Sequence, residues 1–307
     1  MGDCEKDYHL DYELRLVTNM TTELQTQLST QVELTPVATA LETHLSDIFT
    51  DYAHDVDLSF YDVQGEFSRL HHETHIMDAN QHNYTLFIPV REYMHVAVAN
   101  IQASEVLLTQ DDYCQTASLE QPVNDVKNII NSHNTGLFTA RLPMNIKEGV
   151  DQSFDVKLYM ANCASALTLD TLGSNIKDFK VYASGFANGF KLADSTYYFH
   201  FTPQVKAEEV KVNDGRFMCF CNVNFPSKDA LTKAADDALW KYTIYATLQD
   251  GSITETVLGV KIPLEAGQFK LIRGKVEPNG SVMPREPYVG ASVTLQWNDG
   301  TAWDVDI

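Results

Sequence analysis

No run of eighteen apolar residues occurs in the 307-residue chain, so it contains no membrane-spanning helix. Cations are scarce as well. Lys and Arg number 22 against 42 Asp and Glu, a net charge of −20. A phosphate backbone needs clustered Lys and Arg, so nucleic acid is excluded as a partner. There is no H-E-x-x-H, which excludes the common zinc-protease helix. There is no G-x-S-x-G elbow either: Ser184 precedes Gly185, but Tyr182 stands where the first glycine belongs. Gly185, Gly189 and Gly215 stand apart and form no phosphate loop. The 42 acids offer too many carboxylate pairs for any one to be singled out. No catalytic residue, cofactor site or metal ligand is therefore assigned, and the chain is read as non-enzymatic.

The five cysteines are Cys4, Cys114, Cys163, Cys219 and Cys221. None has a zinc spacing, and an odd number cannot all pair within the chain. Cys219 and Cys221 flank Phe220, face one side of a strand, and read as buried thiols. Histidine gathers once, at His71, His72, His75 and His82 around Glu73. On a strand this run would divide between two faces, so it reads as a solvated loop rather than a metal site.

What the chain does have is alternation. Leu10, Tyr12, Leu14 and Leu16 predict a first strand, and Val56, Leu58 and Phe60 another before a Gln64-Gly65 turn. Strands are predicted over 84–90, 94–101, 137–144, 153–160, 178–184, 195–202, 217–223, 242–249 and 254–263. Thr35 as N-cap and Pro36 as first residue predict a helix with Val37, Leu41, Leu45, Ile48 and Tyr52 on one stripe. Val123–Ile130 and Ser227–Trp240 read as further short helices, and the Thr- and Gln-rich stretch before Thr35 as a connection. Many short strands without βαβ alternation predict a mainly β chain of antiparallel sandwiches. At this length two units are expected, 1–160 and 161–307, with no flexible linker between them.

The C-terminal stretch carries the clearest pattern. Ala291, Val293, Leu295 and Trp297 alternate, Asn298-Asp299-Gly300 suits a tight turn, and Trp303, Val305 and Ile307 resume the alternation. The turn predicts a hairpin packed in its own sheet. The alternative is that Trp303, Val305 and Ile307 are strand-exchange residues offered to a partner's sheet. Trp240, Trp297 and Trp303, if exposed, would instead suit a carbohydrate platform. Met1 and Gly2 precede an already acidic segment, as at the start of a processed chain.

AGQFKLIRGKV, VGASVTLQWNDG and the closing DVDI resemble the C-terminus of the fimbrillin-A-associated anchor proteins, minor subunits of the type V pili of Bacteroidota. DYELRLVTNM, LSFYDVQGEF, YMHVAVANI and GLFTARLPMNI are similar in type and order to the first half of that family. The resemblance implies two tandem transthyretin-like antiparallel β-sandwich domains. It implies a cell-surface fimbrial anchor or tip subunit in the outer membrane, held by a lipid on an N-terminal cysteine. Cys4 is the candidate, although no lipobox precedes it. The implied partners are other pilin subunits, joined by β-strand addition, and glycans or other surface ligands.

Overall fold

The structure, a computed structural model, describes residues 7–18, 20–28, 31–49, 52–77, 83–110, 112–123, 126–201, 203–229 and 237–296. The chain is mainly β. The first half holds β1 (Asp7–Val17), α1 (Met20–Leu28), α2 (Thr35–Ile48), β2 (Asp55–Asp62), β3 (Ser68–Ile76), β4 (Asn83–Pro89) and β5 (Glu92–Ala99). It continues with β6 (Leu107–Thr109), β7 (Ser118–Glu120), β8 (Ile129–Asn131), β9 (Phe138–Asn145) and β10 (Gln152–Met160). Then follow β11 (Cys163–Asp170), β12 (Ile176–Ser184), β13 (Gly189–Lys191), β14 (Thr196–Tyr198), β15 (Gln204–Lys206) and β16 (Glu208–Val210). The last are β17 (Phe217–Asn224), β18 (Trp240–Leu248), β19 (Ile253–Val260), β20 (Phe269–Val276), β21 (Val282–Pro284) and β22 (Val289–Gln296).

A seven-stranded sheet runs β3-β2-β5-β9-β10-β1-β4. It rolls up, because the His75 ring on one edge strand lies 4.7 Å from the Tyr84 ring on the other. Leu10, Tyr12 and Leu14 point inward and are buried, as the alternation of β1 requires. Val37, Leu41 and Leu45 of α2 pack on the same core, each contributing about 1.5–3 kcal/mol by burial. Thr35 is the first helical residue rather than the cap, and its hydroxyl donates to the Val32 carbonyl at 2.8 Å.

Behind the helices lies a five-stranded sheet, β16-β17-β11-β20-β21, faced on its far side by a six-stranded sheet, β22-β19-β18-β12-β15-β8. Ala164 and Ala166 of β11 face the first core while Leu167 and Leu169 face the second. Buried on both sides, β11 has no alternation to show. Antiparallel pairing dominates, with parallel ladders at β1–β10, β11–β20 and β8–β15. A four-stranded sheet, β14-β13-β7-β6, and β8 join residues 107–131 to strands of the second half.

Three of the departures from expectation have a plain physical cause. Residues 129–131 form β8 rather than the end of a helix, because they pair with β15. The histidine run is strand, not loop, since β3 pairs with β2 along its whole length. The stretch before Thr35 contains α1, where Leu24 and Leu28 reach the core despite a polar remainder. Of the third predicted helix, residues 230–236 lie outside the described residues, and Trp240 opens β18. Gly185 (φ 99°) fulfils its turn role: a Cβ there would stand 2.7 Å from main-chain atoms of Leu239 and Trp240.

Candidate functional site

Two strand edges of the second half are treated in opposite ways. On β20, Gln27 of α1 supplies a substitute neighbour: its amide donates to the Phe269 carbonyl at 2.6 Å and accepts from the Leu271 N–H at 2.8 Å. Nearby, Arg216 reaches Asp170 at 2.7 Å, Arg285 reaches the same carboxylate at 3.1 Å, and both lie near Glu33. The Arg216 guanidinium holds the Asp170 carboxyl below the usual range. This edge is closed.

β22 ends the six-stranded sheet, and among the described residues no strand pairs with its outer side. Lys261 N–H donates to the Tyr288 carbonyl, which fixes the hydrogen-bonding phase of the β19–β22 ladder. Even-numbered residues of β22 therefore bond to β19, and Ala291, Val293 and Leu295 direct their main-chain groups outward. Their side chains lie on the core side, opposite the buried Leu258, Thr256 and Thr254. Yet Val293 is 42% and Leu295 50% exposed. An apolar inner face joined to an open edge is the surface that an added strand covers.

The buried polar groups are structural. Tyr12 donates to His95 Nε2 at 2.7 Å, and His95 Nδ1 donates to the Ser59 carbonyl at 2.9 Å. Burial lowers the pKa of His95, and that of His133, to about 4, so both rings are neutral. On β3, Glu73 accepts from His71 at 2.6 Å and His75 at 2.9 Å, while His72 pairs with Asp57 at 2.8 Å on the other face. His71 and His75 are four strand positions apart, roughly 13 Å between Cα atoms, so they flank the carboxylate rather than converge on a point. Among the described residues no three His, Cys, Asp or Glu are placed to hold a metal ion. Cys219 and Cys221 are buried as expected, and burial pushes the Cys219 thiol up to about 12.

The predicted site residues Cys4, Trp303, Val305 and Ile307 lie outside the described residues, as does Trp297. Trp240 is buried, its indole N–H donating to the Ile262 carbonyl at 3.0 Å, and serves the core rather than a sugar platform. The open inner face of β22 was signalled by its alternation. The closure of β20 by Gln27 had no sequence signal, because a lone glutamine in a polar stretch announces nothing.

The fold recurs in solved structures. One is a candidate adhesin from Bacteroides thetaiotaomicron, with a TM-score of 0.55 at 10% identity, covering 96% of this chain and 100% of that one. Another is the fimbrial anchor protein Mfa2 from Porphyromonas gingivalis, with a TM-score of 0.53 at 11% identity, covering 94% and 99%. Candidate polysaccharide-binding proteins from B. thetaiotaomicron give 0.54 at 10% identity, covering 92% and 97%. No match is found among curated protein sequences. No helix is long and apolar enough to cross a membrane among the described residues. The sequence model of the fimbrillin-A associated anchor proteins Mfa1 and Mfa2 matches residues 17–226, and the chain belongs to that family.

Proposed function

We propose that this chain is a non-enzymatic subunit of a cell-surface fimbrium, in the anchor or tip position, acting in pilus assembly and adhesion. The single observation that carries the proposal is the family match, which spans the seven-stranded sheet from the end of β1 onward and the start of the second half. Among the described residues the inner face of β22 is uncovered and its edge unpaired, which supports β-strand addition as the means of joining other subunits. Trp303, Val305 and Ile307 are proposed as the residues exchanged with a neighbour in the assembled pilus. Two units, 1–160 and 161–307, are proposed, with β6–β8 crossing the boundary. Outer-membrane attachment through a lipid, with Cys4 as its candidate site, belongs to the same proposal. The test is to delete the gene in its host and image the pili. Altered pilus length or attachment is expected; unchanged pili would refute the role.

The second reading is a carbohydrate-binding surface protein. What favours it is a cavity of about 680 Å³ on which the exposed Tyr159 and the half-buried Tyr197 both open. A glycan array with the purified chain checks it, and silence across the array would remove it.

A further inference from the structure

β9 and β10 are consecutive strands of eight and nine residues joined by a short connection, yet they pair only as Thr139↔Tyr159 and Phe138↔Met160. β9 meets β5 in eight pairs on its other side, and β10 meets β1 in eight. Continuing the register would set Pro143 against Asp155 and Arg141 against Lys157. Pro143 has no N–H for the ladder, and two cations directly opposite repel, so the sequence itself parts the strands. Gln152 spans the far end instead, donating to the Asn145 carbonyl at 2.9 Å and accepting from the Lys147 N–H at 2.7 Å. The result is a slot closed at both ends, so a strand cannot run through it.

The main chain opens into this slot. Ala161 N–H donates to the Leu137 carbonyl and Ile146 N–H to the Arg91 carbonyl, so odd residues of β9 face β10 and even ones face β5. The Tyr159↔Thr139 pair fixes the matching phase on β10. Arg141, Asp155 and Lys157 thus turn their N–H groups inward. Core-side Leu142 and Phe154 are only partly buried, as beside a gap. The cavity is lined by Arg141, Lys157, Asp155, Tyr159, Tyr197 and Ser195 among others. Asp155 shares Arg15 with Glu13, at 3.4 Å and 3.1 Å, so Arg15, Arg141 and Lys157 together with these two acids still carry a net positive charge. Arg141 also touches the Cys114 thiol. In a chain of net charge −20, two of the 22 Lys and Arg thus line one cavity.

We propose that the slot between β9 and β10 binds a carboxylate-bearing sugar. The carboxylate sits between Arg141 and Lys157, where it turns a like-charge opposition into a favourable bridge. The half-exposed Tyr159 ring offers a stacking face for the sugar, and the inward N–H groups take its oxygens. A cavity of about 680 Å³ falls in the range that holds small ligands. The proposal rests on the carbohydrate reading of this cavity, which binding of the neutral sugar alone would leave standing, and it is independent of the fimbrial role.

The test is calorimetric titration of the full chain with the disaccharide of glucuronic acid and N-acetylglucosamine, against neutral diacetylchitobiose. The acidic disaccharide is expected to bind at least tenfold more tightly, with affinity falling as salt rises. R141A and K157A should each weaken it tenfold or more. The double variant P143V/K157E should let the ladder zip closed, abolish binding and leave the melting temperature equal or higher, which separates loss of the site from loss of the fold. Equal binding of the neutral sugar, indifference to R141A and K157A, no binding at millimolar ligand, or a preference for acidic peptides over the sugar would each overturn the proposal.

Discussion

β20 and β22 are both strands near the rim of the second half, and they differ in what faces their free side. β20 is sealed by the amide of Gln27, which makes the two hydrogen bonds a neighbouring strand would make. β22 carries Val293 and Leu295 on its core side with no cover among the described residues. The chain has the means to close an edge and uses it where the edge meets its own helix. The lesson is that a strand edge in this fold need not stay open: a single side-chain amide is enough to close it.

The largest effect that would sharpen this contrast comes from ending the chain at Asp299. If Trp303, Val305 and Ile307 complete the chain's own sheet, three side chains each worth about 1.5–3 kcal/mol are lost. Against a total stability of about 5–15 kcal/mol that should unfold the second half. Thermal unfolding reads the outcome: an unchanged melting temperature is expected of residues that serve a partner, and loss of the second half's transition would show instead that they cover β22 in their own chain.

Acid should attack the closed interior next. His95 and His133 titrate near 4 in the folded chain and near 6.5 when unfolded. The unfolded chain therefore binds more protons between these values, and stability is fully present above about pH 6.5 and lost as the pH falls toward 4. Each histidine contributes about 3 kcal/mol to that loss. Denaturant unfolding at pH 7 and pH 4.5 measures it, and H95Q should flatten part of the slope.

Gln27→Ala tests the sealed edge directly. It strands the Phe269 carbonyl and the Leu271 N–H, at a cost of about 1–3 kcal/mol. The matching change at the open edge, Val293→Ser with Leu295→Ser, should shift stability by no more than about 0.5 kcal/mol. It should nevertheless reduce incorporation into pili, measured by quantifying the chain in purified fimbriae. Equal destabilisation by the two changes would erase the distinction between the edges.

Much of this was legible in the sequence. β1, with Asp11, Glu13 and Arg15 on its polar face, declared itself by alternation. β11 did not: its CASALTLD run is buried on both faces, and small residues there admit the helices rather than mark a period. β3 was hidden because polar residues occupy both its faces, with Glu73 serving His71 and His75 on one. α1 was hidden because only Leu24 and Leu28 anchor it to the core among its described side chains. β8 was misread because pairing with a strand some seventy residues later overrides local spacing. Of the candidate surfaces, the β22 alternation was visible from the start. Pro143 inside an otherwise central strand was an available sign of an interrupted ladder.

The most direct test of strand addition is hydrogen exchange at Ala291, Val293 and Leu295, compared between the free chain and the chain within isolated pili. These amides point away from β19, so in the free chain they should exchange much faster than that of the sealed Leu271. In the pilus they should be slowed at least tenfold while Leu271 is unchanged. Exchange at the same rate in both states would contradict the claim that this edge receives a neighbour's strand.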